Sequence, residues 1–202
     1  MWFLTSLKKM SDYSNYKDIV EFEENLDKKN KEFNSSFESE ISSDTIEDNN
    51  IYKLANSINL VLTELIEINK KKNNFNSNDI FDSKLIPNIS ILDYINRIID
   101  YSKIEENTLI AGLIYIDKIA KVIKISNFNI HKILFSCILI AIKYFEDEIY
   151  SNNYFAQIGG ISNEELLKLE LNISTLLDFK FFISEKTFEQ FKAALELMNK
   201  NN

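Results

Sequence analysis

Arginine is almost missing from this sequence: of 23 basic residues only Arg97 is arginine, and the 31 acidic residues leave a net charge of −8. A nucleic-acid footprint needs a basic face to displace counterions, and base reading favours the arginine fork, so nucleic acid is not an expected partner. Cysteine and histidine occur once each, as Cys137 and His131. One thiol excludes an internal disulfide and a thiolate zinc site, and fits a reducing compartment. Three glycines and one proline are too few for repeated tight turns, which favours an all-α domain joined by polar linkers. No Gly-rich phosphate loop and no metal-ligand spacing occur, so no cofactor and no metal are expected. The longest apolar run, Ile133 to Ile142, is about half of what a bilayer span needs, and the apolar start MWFLTSL is too short for a signal peptide. The expectation is a soluble intracellular protein of the cytoplasm or nucleus, with no membrane partner.

What the sequence does contain is apolar material concentrated after Asn50. Residues 1–50 are rich in Asp, Glu, Asn, Ser and Lys and read as an acidic, largely disordered extension. Ile19, Phe22, Leu26, Phe33 and Phe37 nevertheless follow helical spacing, so part of this arm could fold. The domain is expected over residues 51–198. Its first helix covers Ile51 to Ile68, with Leu54, Ile58, Val61, Leu62 and Leu65 on one face and Lys70–Lys72 closing it. Ser90 with Asp93 marks a capping box for a helix to Tyr101, and Glu105 and Glu106 introduce one over Thr108–Lys124. Asn129 is expected to cap a helix through about Asp147. A short helix over Asn153–Ile158 stops at Gly159–Gly160, Ser162 with Glu165 opens another to about Phe179, and Ser184 caps a last one to Met198. Six or seven helices with short connections make a compact bundle.

Catalysis has little to stand on. Cys137 lies inside an apolar run that disfavours a thiolate, so it reads as a core filler, and His131 as a polar residue of a first helical turn. Four charged residues in apolar surroundings stand out instead. Lys143 follows ten nearly all-apolar residues; its stem must cross apolar surface before the amine finds water, a helix-end dipole, or Glu146 or Asp147. Glu170 lies on or beside the stripe of Leu166, Leu169, Ile173 and Leu177. A carboxylate there needs a partner, inside the chain or on another protein. Arg97 and Asp117, each among isoleucines, are expected to form a structural ion pair, with Asp100 as Arg97's competing local partner.

These segments, taken in order, resemble the cyclin box of the P/U-type, phosphate-signalling cyclins. The resemblance covers about residues 51–195 and rests on IPNISI (86–91), DYINRI (93–98), IYIDK (114–118), NIHKIL (129–134) and AIKYFED (141–147). Most specific is NNYFAQIGGIS (152–162), followed by Leu169-Glu170 and LDF (177–179). It implies a five-helix cyclin fold, with an N-terminal helix and an extra C-terminal one, that binds and activates a cyclin-dependent protein kinase and has no catalytic residues of its own. It further implies that Lys143 and Glu170 contact the kinase around its mobile C-helix, with Tyr144 and Phe145 supplying apolar area. The chain departs from many relatives in having Asn88 where mitotic-type cyclins carry an arginine, whose pairing Arg97 would take over. It is also too short for a second cyclin fold. The alternative is a cyclin-fold adaptor or scaffold that binds other proteins without activating a kinase.

Overall fold

Seven helices account for nearly all of the regular structure in the computed structural model, which describes residues 44–71 and 80–200. The expected features of residues 1–43 lie outside the described residues. Helix α1 runs Asp44–Lys70, longer at both ends than its apolar spacing predicts. Its buried face is Leu54, Ile58, Val61, Leu62 and Leu65, and Lys70 closes it by pairing with Glu67 at 2.5 Å. Helix α2 is Ile91–Ser102; the Ser90 hydroxyl accepts from the Asp93 amide at 3.0 Å and donates to the Asp93 carboxylate at 2.6 Å.

Helix α3, Glu106–Ile119, ends five residues before the expected Lys124. The Val122 and Ile123 amides both turn back onto the Ile119 carbonyl, and the sharper turn lets Ile123 and Ile125 reach the core. Helix α4, Ile130–Phe145, is buried from Ile130 to Ile142 apart from Lys132. It packs against α3 and against α6, as expected for a helix apolar on all sides. Asn129 precedes α4 but does not cap it through its side chain. That side chain instead accepts from the Ser126 amide and donates to Asp82 and to the Lys124 carbonyl, which folds the α3–α4 loop.

The remaining helices follow their stop and start signals. Helix α5, Asn152–Gly159, is capped by Ser151 and closed by Gly160 at φ 68°, a left-handed position that favours glycine. Helix α6, Asn163–Leu176, starts where the Ser162 hydroxyl accepts from the Glu165 amide. Glu165 does not complete a capping box; it reaches Lys132 on α4 at 2.9 Å. Helix α7, Glu185–Lys200, places Phe191 and Leu195 in the core beside α1 and α3. All seven helices contribute to one continuous apolar core, so the architecture is all-α, as the sequence predicts.

Candidate functional site

The last turn of α4 must come out of the core, because the chain leaves the bundle there. Lys143 is the first of its residues able to reach water. Its amine donates to both carboxylate oxygens of Glu170, at 2.6 and 2.8 Å, across the α4–α6 contact. Both side chains are 23% exposed, so the pair stands at the rim of the core. The two residues read separately from the sequence are thus each other's partner, and Glu146 does not serve Lys143.

Tyr144 and Phe145 follow and are both about half exposed. Their rings meet edge to face at 4.9 Å, and Tyr144 lies 5.9 Å from Phe181. Phe181 in turn touches Phe179 at 6.2 Å and is held from below by Tyr115, whose hydroxyl donates to the Phe181 carbonyl at 2.6 Å. Burial pushes the Tyr115 phenol above its ordinary value, so it stays a neutral donor. The strip is bordered by Phe182, 74% exposed, and by Phe179, 61% exposed. Asp178 and Phe179 both have left-handed backbone, φ 54° and 53°. For a bulky aromatic that conformation is costly. The chain therefore adopts a strained turn that holds an apolar ring in water. Sequence reasoning named Tyr144 and Phe145 for this surface; it met Phe179 only within the LDF stretch, and missed Phe181 and Phe182. Three phenylalanines in four residues just past a helix end were the available signal.

Glu146, the C-cap of α4, turns the other way. Its carboxylate accepts from the Thr108 hydroxyl at 2.5 Å and from the Glu105 amide at 3.4 Å. Glu105 provides no side-chain cap for α3; its own amide is met by Glu146, from the end of another helix.

Arg97 and Asp117 do not make the ion pair expected of them. Arg97 donates to the Gln157 carbonyl at 2.9 Å, and Tyr94 donates to the Gly159 carbonyl at 2.9 Å. Both close the C-terminus of α5, where exposed carbonyls and the dipole attract a cation and donors. Asp117, nearly buried, pairs with Lys121 one turn further on, at 3.5 Å. Asp100, the competing partner considered for Arg97, accepts from Tyr52.

His131 is buried more deeply than a first-turn residue need be. Its Nε2 lies 3.0 Å from the Ile89 carbonyl and must carry the proton there, while Nδ1 is buried without a partner. Its ring stands edge-on to Tyr94 at 5.2 Å, and burial lowers its pKa. Cys137 is fully buried, which pushes its thiol well above the usual range; it is a core filler and no nucleophile. Among the described residues no three His, Cys, Asp or Glu side chains converge on a metal position, and no helix is long and apolar enough to cross a membrane. What converges is one polar pair with fixed direction beside an exposed aromatic strip.

The sequence profile of the cyclin family matches residues 19–181. Among curated relatives, the chain is 35% identical over 147 residues to Cyclin-U2-1 of Arabidopsis thaliana, covering 67% of this chain and 66% of that protein. It is 38% identical over 120 residues to Cyclin-U2-2 of the same plant, covering 58% of this chain and 52% of the relative. To the PHO85 cyclin-like protein psl1 of Schizosaccharomyces pombe it is 33% identical over 150 residues, covering 65% and 62%. The matched part thus spans from about half to just under two thirds of these relatives' length.

Proposed function

The chain belongs to the cyclin family, in its P/U-type branch, and from that premise we propose that it binds a cyclin-dependent protein kinase and activates it. Cyclin-family proteins are regulatory rather than catalytic. The observation that carries the reading is the Lys143–Glu170 pair standing beside exposed Tyr144, Phe145, Phe179 and Phe182. An isolated monomer has no use for such a surface. An apolar patch with a fixed polar pair at its edge has the make-up of a protein contact. One of the relatives is named as a PHO85 cyclin-like protein, which supports a kinase as the partner.

The mechanism would be one of population. A kinase's catalytic Lys–Glu ion pair forms only when its C-helix is rotated inward. A rigid surface that binds only the inward state raises its population by the difference in affinity between the two states. In this scheme the strip supplies buried area, and Lys143 and Glu170 supply direction through hydrogen bonds to the helix or its flanking backbone.

Charge reversal separates the internal role of the pair from its external one. Lys143→Glu or Glu170→Lys alone leaves two like charges facing each other and lowers stability by about 1–2 kcal/mol. The double variant restores an ion pair of opposite sense. It is expected to recover the melting temperature but not kinase activation, because the polarity shown to the partner is inverted. The measurement is phosphotransfer by cyclin-dependent kinases captured with the chain, with and without each variant. Full activation by the double variant would remove these two residues from the interface. A partner that is not a kinase would favour the adaptor reading.

A further inference from the structure

The end of α4 bears the polar pair and two of the aromatic rings, yet it is the last turn before the chain departs from the bundle. A terminal helical turn frays unless something holds it. Here the hold comes from the neighbouring helix. Glu146 has extended backbone as the α4 C-cap, and its carboxylate takes the Thr108 hydroxyl and the Glu105 amide. Thr108 is buried in the first turn of α3, whose own cap residue offers that helix no side-chain acceptor. A negative charge at a helix N-terminus is favourable. Through this one carboxylate the residue that ends α4 is tied to the start of α3.

We infer that Glu146 is a positioning residue: it holds the last turn of α4 in the contact conformation, so that Lys143, Tyr144 and Phe145 meet a partner already ordered. The inference rests on the kinase-binding reading for its consequence but not for its mechanism. An interface whose residues are ordered before binding loses less freedom on association. Removing the tie leaves the Glu170 pair and the Phe181 contact to hold Lys143 and Tyr144, but loosens the last turn that carries them before binding.

The test uses the full chain and three substitutions. Glu146→Ala removes the acceptor. Glu146→Gln keeps an acceptor oxygen for Thr108 without the charge. Thr108→Val keeps the shape of the donor residue without the hydroxyl. On the chain alone, hydrogen exchange of the amides of residues 143–147 is expected to quicken roughly tenfold in Glu146→Ala and in Thr108→Val, as for removal of one charge-assisted hydrogen bond, and much less in Glu146→Gln. Kinase affinity is expected to fall in the same order, by about tenfold at most. Unchanged exchange in Glu146→Ala overturns the inference, whatever the partner proves to be. If Glu146→Ala weakens binding while Thr108→Val does not, the carboxylate touches the kinase itself, and the positioning role is again overturned. If the unaltered chain binds no kinase, the functional reading falls, and the exchange measurement alone decides the role of Glu146.

Discussion

His131 shows how far a residue's placement can depart from its neighbourhood in sequence. Two positions past Asn129 it reads as a polar residue of a helix start, but the bundle closes over it. Burial lowers its pKa, and the hydrogen bond from Nε2 to the Ile89 carbonyl opposes that shift without cancelling it. The unfolded chain therefore binds a proton more readily than the folded one. The contribution of this residue to stability is complete above its unfolded pKa, near about 6.5, and is lost as pH falls through and below that value. His131→Gln retains a donor for Ile89 and cannot titrate. Urea midpoints at pH 7.5 and 5.5 should differ more for the unaltered chain than for this variant; equal differences would mean that His131 takes up its proton alike in the folded and unfolded states. Arg97 teaches a related lesson. Its rarity singled it out for an ion pair with Asp117, but its partner is the Gln157 carbonyl at the end of α5, and a carbonyl leaves no trace in a sequence pattern.

The legible elements were those with a local cause. Ser90, Ser162, Ser184 and Gly160 each sit at the helix boundary that their chemistry predicts, because a cap acts within one turn. The α3 terminus was missed because burial of Ile123 and Ile125 decides it, and apolar spacing alone cannot tell a helix from a tight turn with the same inward residues. The pairing of Lys143 with Glu170 was out of reach for the same reason, since it depends on how α4 lies against α6. The α3–α4 packing is itself a testable element. A Cβ built on Gly112 would lie 2.9 Å from Ile138 Cγ1 and 3.3 Å from its Cα. The second neighbour is backbone and cannot rotate away. Gly112→Ala gains about 1 kcal/mol of helix propensity but forces the two most buried helices apart, at a cost of roughly 1–3 kcal/mol. Net destabilisation is expected, with the melting temperature lowered by a few degrees. A variant that melts higher than the parent would show that the two helices separate freely.

For the molecule as a whole, stability and the proposed partner binding are assigned to different phenylalanines. Phe191 on α7 is fully buried in the core shared by all seven helices. Phe179 is 61% exposed, with left-handed backbone. Phe191→Ala should cost about 3–5 kcal/mol and, because the core is continuous, lower the midpoint of one cooperative transition seen alike by far-UV CD and tyrosine fluorescence. Phe179→Asn should do the opposite. Asparagine tolerates the left-handed region, so about 1 kcal/mol of strain is relieved. Against this stands the edge-to-face packing of the Phe179 ring on Phe181, which contributes roughly 0.5 kcal/mol. The fold is left as stable as before or slightly more so, while kinase affinity falls by roughly tenfold through removal of an apolar anchor. Such a split is expected where strain is kept at a binding surface and compensated by the rest of the fold. If Phe179→Asn instead destabilised the bundle and left kinase affinity unchanged, the aromatic strip would be part of the scaffold, and the partner would have to be met elsewhere on the molecule.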